Sequence, residues 1–97
     1  MASETKVMAQ VLEGMLHKGY IGGKHTSEDN IPKFFPKHLR KEAKDALKEL
    51  IRMGLVIRKP ASYGMQVSIN QEASKAIKDF IEKYNPPGDV RLNKRHI

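Results

Sequence analysis

Between Glu4 and Lys18 the apolar residues fall at Val7, Met8, Val11, Leu12, Met15 and Leu16, pairs that return every four positions. That spacing keeps one apolar stripe on a helix; Ser3 can cap its start and Gly19 can close it. The stretch "YIGGKHTSEDN" breaks the pattern. Within it Thr26 or Ser27 can cap the next element, and 21–26 is the only segment, weakly strand-like, that offers a strand ahead of the next apolar residues. Ile31, Phe34 and Phe35 then share one face of two helical turns, provided that Pro32 lies in the first turn. Pro36 pushes Phe35 out of the helical region and suits the first position of a new helix. That helix is expected over Lys37–Met53. Its stripe is Leu39, Ala43, Ala46, Leu47, Leu50 and Ile51, its stop is Gly54, and its two alanines allow a neighbour to approach closely.

After Gly54 the period drops to about two. "LVIRK" sets Leu55 and Ile57 on one face and Val56 on the outer one, while "MQVSI" sets Met65, Val67 and Ile69 against Gln66 and Ser68. The intervening "PASYG" holds Pro60 and Gly64, residues suited to reversing the chain, so 55–69 is read as a β-hairpin. Asn70 caps a last helix with Glu72 in its first turn and the stripe Ala73, Ala76, Ile77, Phe80, Ile81 and Tyr84. "NPPG" ends it, and "DVRLNKRHI" is a basic tail without periodicity. The expectation is an α+β domain over 1–85 followed by a tail over 86–97.

Length and composition narrow this further. A 97-residue chain buries only about 60 to 65% of its unfolded surface and has no room for a second catalytic lobe. Eighteen Lys and Arg against eleven Asp and Glu give a net charge of +7, which favours a polyanionic partner without naming it. The absence of cysteine excludes disulfides, thiolate metal sites and thiol nucleophiles. No apolar run approaches the roughly 18 residues of a membrane span, and "MASETKV" carries no signal-peptide pattern, so a cytoplasmic protein without membrane contact is expected.

Candidate chemistry is sparse. His17, His25, His38 and His96 are scattered without metal-ligand spacing, and His25 with Glu28 and Asp29 is at best an incidental cluster. There is no phosphate-binding GxxxxGK[ST] loop, and no serine has a base and acid arranged for it. Met8, Met15, Met53 and Met65 sit at core-facing positions and read as packing. No enzyme activity, cofactor or metal is expected.

The charges of the long helix carry more information. At about 100° per residue, Arg40, Lys44, Lys48 and Arg52 follow one another at i, i+4 steps, and Lys37 and Lys41 join the same flank of the apolar stripe. Glu42, Asp45 and Glu49 gather on the other flank, leaving Lys41–Asp45 as the opposite-sign pair at i, i+4. Like charges at that spacing cost roughly 0.2 to 0.5 kcal/mol per pair. An anionic partner converts the repulsion into attraction and releases a counterion for each phosphate neutralised.

Helix, short helix, long helix, hairpin and helix in this order resemble the winged-helix domain, a helix-turn-helix followed by a β-hairpin wing. The resemblance rests on "IPKFFPKHLRKEAKDALKELIRMGLVIRKPASYGMQVSIN", Ile31 to Asn70, above all on "ALKELIRMGLVIRK", where a recognition helix ends at a glycine and enters the first wing strand. The compact basic character is also similar to small archaeal winged-helix proteins. The resemblance implies a strand between the first two helices that pairs with the wing, and a long helix whose N-terminal part faces the major groove of duplex DNA. Lys37, His38, Arg40, Lys41, Lys44 and Lys48 are then the contact candidates. Arg40 suits base readout, because a guanidinium can pair two acceptors of guanine, and the lysines suit phosphate. Lys33 on the short helix and Arg58, Lys59, Ser62 and Tyr63 on the hairpin extend the surface; Ser27 is better explained as a cap. Arg58 and Lys59 alternate in direction, and Tyr63 can face either the partner or the core. The implied function is a DNA-binding transcriptional regulator. RNA or a ribonucleoprotein is the alternative polyanionic partner, a protein-interaction module the alternative class with Val56 as its exposed apolar residue, and a homodimer through the terminal helices is open to it.

Overall fold

A computed structural model describes residues 3–85 of the chain. The tail, with Arg91, Lys94 and Arg95, lies outside the described residues, as does the expected boundary at 85/86. The domain is α+β: three α-helices and four short 3-10 turns among the described residues surround a three-stranded antiparallel sheet. No described helix is long and apolar enough to cross a membrane.

Helix α1 spans Glu4–Lys18 as expected; the Ser3 side chain accepts a hydrogen bond from Lys6 N–H, and Gly19 closes the helix at φ +78°. The next helix, α2, spans Arg40–Arg52 and ends in the same way. Gly54 at φ +82° lets its own N–H reach the Ile51 carbonyl and the Leu55 N–H reach that of Leu50. The left-handed turn thus satisfies two carbonyls that the helix end would otherwise leave unpaired. Ala43, Ala46, Leu47 and Leu50 are buried, and the two alanines let α2 pack closely on α1, whose Val7, Val11, Leu12 and Met15 are also buried.

Between α1 and α2 the structure departs from expectation. The short helix expected to carry Ile31, Phe34 and Phe35 is two 3-10 turns, Glu28–Asn30 and Pro32–Phe34, joined at Ile31. Pro32 has no N–H to give an i→i−4 ladder, so the tighter i→i−3 bonds take over. Ile31 and Phe35 are still fully buried, and Phe34 is half-buried with the Lys18 ammonium 5.9 Å from its ring centre. The long helix is also shorter than its pattern. Pro36 is extended at ψ +158°, before the first turn and not in it, and Lys37–Leu39 form another 3-10 turn ahead of α2. Lys37 and His38 therefore do not continue the α2 wheel.

The sheet runs β1 (Thr26–Ser27), β3 (Gly64–Ile69), β2 (Val56–Ala61), so the two-residue β1 supplies a third strand at the end of the segment expected to hold one. Val67 pairs with Arg58 on one side and Thr26 on the other, and Val56 pairs with Ile69. Paired residues share a face, which inverts the expectation for β2: Val56 is core at 2% exposure and Ile57 is only half-buried. The reason lies in the helix end. Leu55 belongs to the α2 cap, so strand alternation begins one residue later than the apolar pattern suggests. Val56 thereby loses its place as an exposed apolar residue. Gln66 and Ser68, expected outside, lie on the face opposite Val67 and are nevertheless buried.

The strands run further toward the turn, and the turn is shorter, than expected: Ala61 pairs with Gly64, leaving Ser62 and Tyr63 as the tip. Pro60 is tolerated inside β2 because β2 is an edge strand. Asn70 then accepts a hydrogen bond from Glu72 N–H at 3.1 Å and donates to the Gly54 carbonyl at 2.9 Å, tying the last helix to the α2–β2 corner. That helix, α3 (Ser74–Tyr84), comes after a 3-10 turn at Gln71–Ala73. Ile77 is buried, Phe80, Ile81 and Tyr84 are half-buried, and Ala76, expected in the stripe, is exposed. Met53, expected to pack, stands at the end of α2 and is 43% exposed.

Candidate nucleic-acid interface

The basic flank of α2 lies along a groove of about 310 Å³. Lys44, Leu47, Lys48 and Ile51 form one wall, Arg58 of β2 another, and Glu28, Asp29 and Pro32 of the 3-10 turns the rest. Residues 44, 47, 48 and 51 come together because they recur at i, i+3, i+4 and i+7 on one side of the helix. The apolar pair forms its inner part and the two ammonium groups stand at its margin, in keeping with their exposure.

Arg58 does not stand free. Its Nε donates to Glu28 Oε1 at 2.7 Å and its second terminal nitrogen to Oε2 at 3.2 Å, a two-pronged pair between residues 30 apart in sequence. Since Arg58 and Thr26 flank Val67 on opposite sides, this pair reaches across β3 and fastens the edge strand to the turn after β1. The Arg58 hydrogen bond holds the Glu28 carboxyl below the usual glutamate range; the charges of Arg58, Lys44 and Lys48 add to that, and partial burial works against it. The same hydrogen bond raises Arg58 further.

Arginine is used inside the protein elsewhere too. Arg40 is half-buried, with its Nε donating to the Phe35 carbonyl at 3.2 Å, so it braces the corner between the 3-10 turns and α2. Arg52 grips Glu49 at 2.6 to 3.1 Å and lowers that carboxyl. Together with Lys41–Asp45 at 3.5 Å, this pair joins the basic flank to the acidic one. Five of the candidate lysines behave differently: Lys33, Lys37, Lys44, Lys48 and Lys59 are exposed and make no ion pair among the described residues. The contrast has a chemical cause, since a planar fork matches a carboxylate or carbonyl and a hydrated ammonium loses little by staying in water.

His38 is exposed on the 3-10 turn before α2. Ser62 and Tyr63 form the hairpin tip, where Tyr63 is 76% exposed and does not cover the core. Arg58 and Lys59 project to opposite faces of the sheet, so Lys59, opposite Gln66, is on the face away from the groove. The structure thus brings Lys44, Lys48 and Arg58 together and leaves Lys59, Ser62 and Tyr63 apart from them. It also adds Glu28, which enters the reading of the sequence only as a neighbour of His25 and Asp29. No local signal marks Glu28, because its partners are 16 to 30 residues away and converge only through the fold.

No protein-family model, curated protein or solved structure matches the chain.

Proposed function

We propose that the protein is a winged-helix nucleic-acid-binding protein that docks on duplex DNA as a transcriptional regulator. The observation that carries this reading is the groove where Lys44 and Lys48 of α2, which make no ion pair among the described residues, face Arg58 of the adjacent hairpin, in a chain of net charge +7. Element order supports it as well. A strand between α1 and α2 pairs with the hairpin, as the winged-helix resemblance requires.

On this reading the N-terminal half of α2 and the preceding turn enter the major groove. Lys37, Lys41, Lys44 and Lys48 contact phosphates, and Arg40 reads bases with the terminal nitrogens that Phe35 leaves free. Ser62 and Tyr63 reach flanking backbone or minor groove from the hairpin tip. Titration of duplex DNA, single-stranded DNA and hairpin RNA over a range of salt concentrations tests the reading. Binding of duplex with a steep salt dependence is expected; no binding of any of the three at low salt overturns it. Within the duplex mode, Arg40→Ala should relax sequence preference while Lys48→Ala should weaken all duplexes alike and flatten the salt slope by about 1. Equal, sequence-blind losses would remove Arg40 from base readout.

One observation favours single-stranded RNA instead: an exposed tyrosine at a projecting tip can stack on an unpaired base. Tyr63→Ala separates the two, with a loss confined to hairpin RNA pointing to the RNA reading.

A further inference from the structure

Three cations converge on one carboxylate in the groove between α2 and β2. Arg58 holds Glu28 through two hydrogen bonds of 2.7 and 3.2 Å, and Lys44 and Lys48 line the same groove. This is an odd use of an acidic residue if the surface serves only to attract polyanions, because it cancels the best phosphate-binding fork on the hairpin. The pair is also only partly withdrawn from water, the Arg58 side chain being 42% and that of Glu28 30% exposed. A ligand therefore has access to the guanidinium without any rearrangement of the core.

We infer that this groove is a seat for a backbone phosphate of duplex DNA, and that in the free protein the Glu28 carboxylate occupies it as a built-in competitor. The inference rests on the nucleic-acid reading above and deepens it. A carboxylate held by a guanidinium in a two-pronged arrangement presents the same geometry as two oxygens of a phosphate, so the two anions compete for one fork. When a phosphate enters, Arg58 exchanges partners, and Lys44 and Lys48 supply the remaining positive field. Glu28 then repels the phosphate it adjoins, which weakens binding and quickens release. Asp29 lines the same groove, has no hydrogen bond from Arg58, and adds to the repulsion without controlling the fork.

The test compares Glu28→Gln with Glu42→Gln, the same change of charge on the acidic flank of α2. Both are titrated with one duplex of about 20 base pairs, long enough to span two turns of DNA, across a salt series after thermal melts establish that each is folded. Glu28→Gln should bind about three- to tenfold tighter than wild type, the size of one like-charge contact at a partly hydrated site, and Glu42→Gln should change binding much less. Adding Arg58→Ala to Glu28→Gln should remove the gain and flatten the salt slope by about 0.9, the loss of one phosphate contact. Equal gains in the two Gln variants would mean that only net charge matters and would overturn the seat. Weaker binding by Glu28→Gln would make Glu28 a positioning residue for Arg58 and overturn it too. The underlying reading fails separately: then neither wild type nor any variant binds duplex at low salt.

Discussion

The groove between α2 and β2 and the tip of the hairpin are both polar and exposed, yet they are built on different terms. In the groove each charge is set against another: Glu28 lies among Arg58, Lys44 and Lys48, and the apolar Leu47 and Ile51 behind them connect to the core. At the tip, Ser62 and Tyr63 make no side-chain hydrogen bond among the described residues, and Tyr63 is 76% exposed. A surface tied into the core holds its geometry, and a surface at a turn holds only its reach. Recognition that depends on position belongs in the groove, and contacts tolerant of position belong at the tip.

The severest challenge to this contrast is through the support of the groove. Leu50 of α2 is fully buried in the core, and Leu50→Ala should cost about 2 to 5 kcal/mol in urea unfolding. Tyr63→Ala should remain within about 0.5 kcal/mol of wild type, since it removes no packed contact. A comparable loss at both positions would show that the tip is packed after all.

On the binding side, replacing Lys44 and Lys48 together by alanine should flatten the salt dependence of duplex binding by about 2, while Lys59→Ala should change it by at most about 1. The reverse order would transfer the interface to the other face of the hairpin.

The smallest effect concerns pH and Glu28. Its carboxyl lies lower in the folded chain than in the unfolded one, so the pair with Arg58 stabilises the fold above the ordinary glutamate pKa. That contribution is lost as pH falls through the lowered value. Wild type should therefore melt slightly above Glu28→Gln at pH 7, with the gap closing in acid, once pH has fallen below the ordinary glutamate range. Melting curves at neutral and acid pH check this, and a gap that persists in acid would assign the difference to packing and not to charge.

Much of the fold is legible in the chain. The limits of α1, the glycine stops at 19 and 54, the Asn70 cap and the stripe of α2 all rest on interactions within a few residues, which a local pattern records faithfully. Pro32 and Pro36 are legible as breakers, but the 3-10 geometry around them is not, because i→i−3 and i→i−4 turns bury nearly the same side chains over so short a span. The basic flank is visible on a helical wheel.

Periodicity and caps are enough to set the order of elements and the segregation of charge along α2, since both depend on near neighbours in the chain. The inward face of β2 is another matter: strand register is set by the pairing of Val56 with Ile69, and one residue of slip reverses every side chain. Only the folded sheet puts Arg58 on the face that lines the groove with α2. Only the fold sets Glu28 among cations drawn from two other elements, for a contact across 30 residues is a property of the assembled domain that no local spacing encodes.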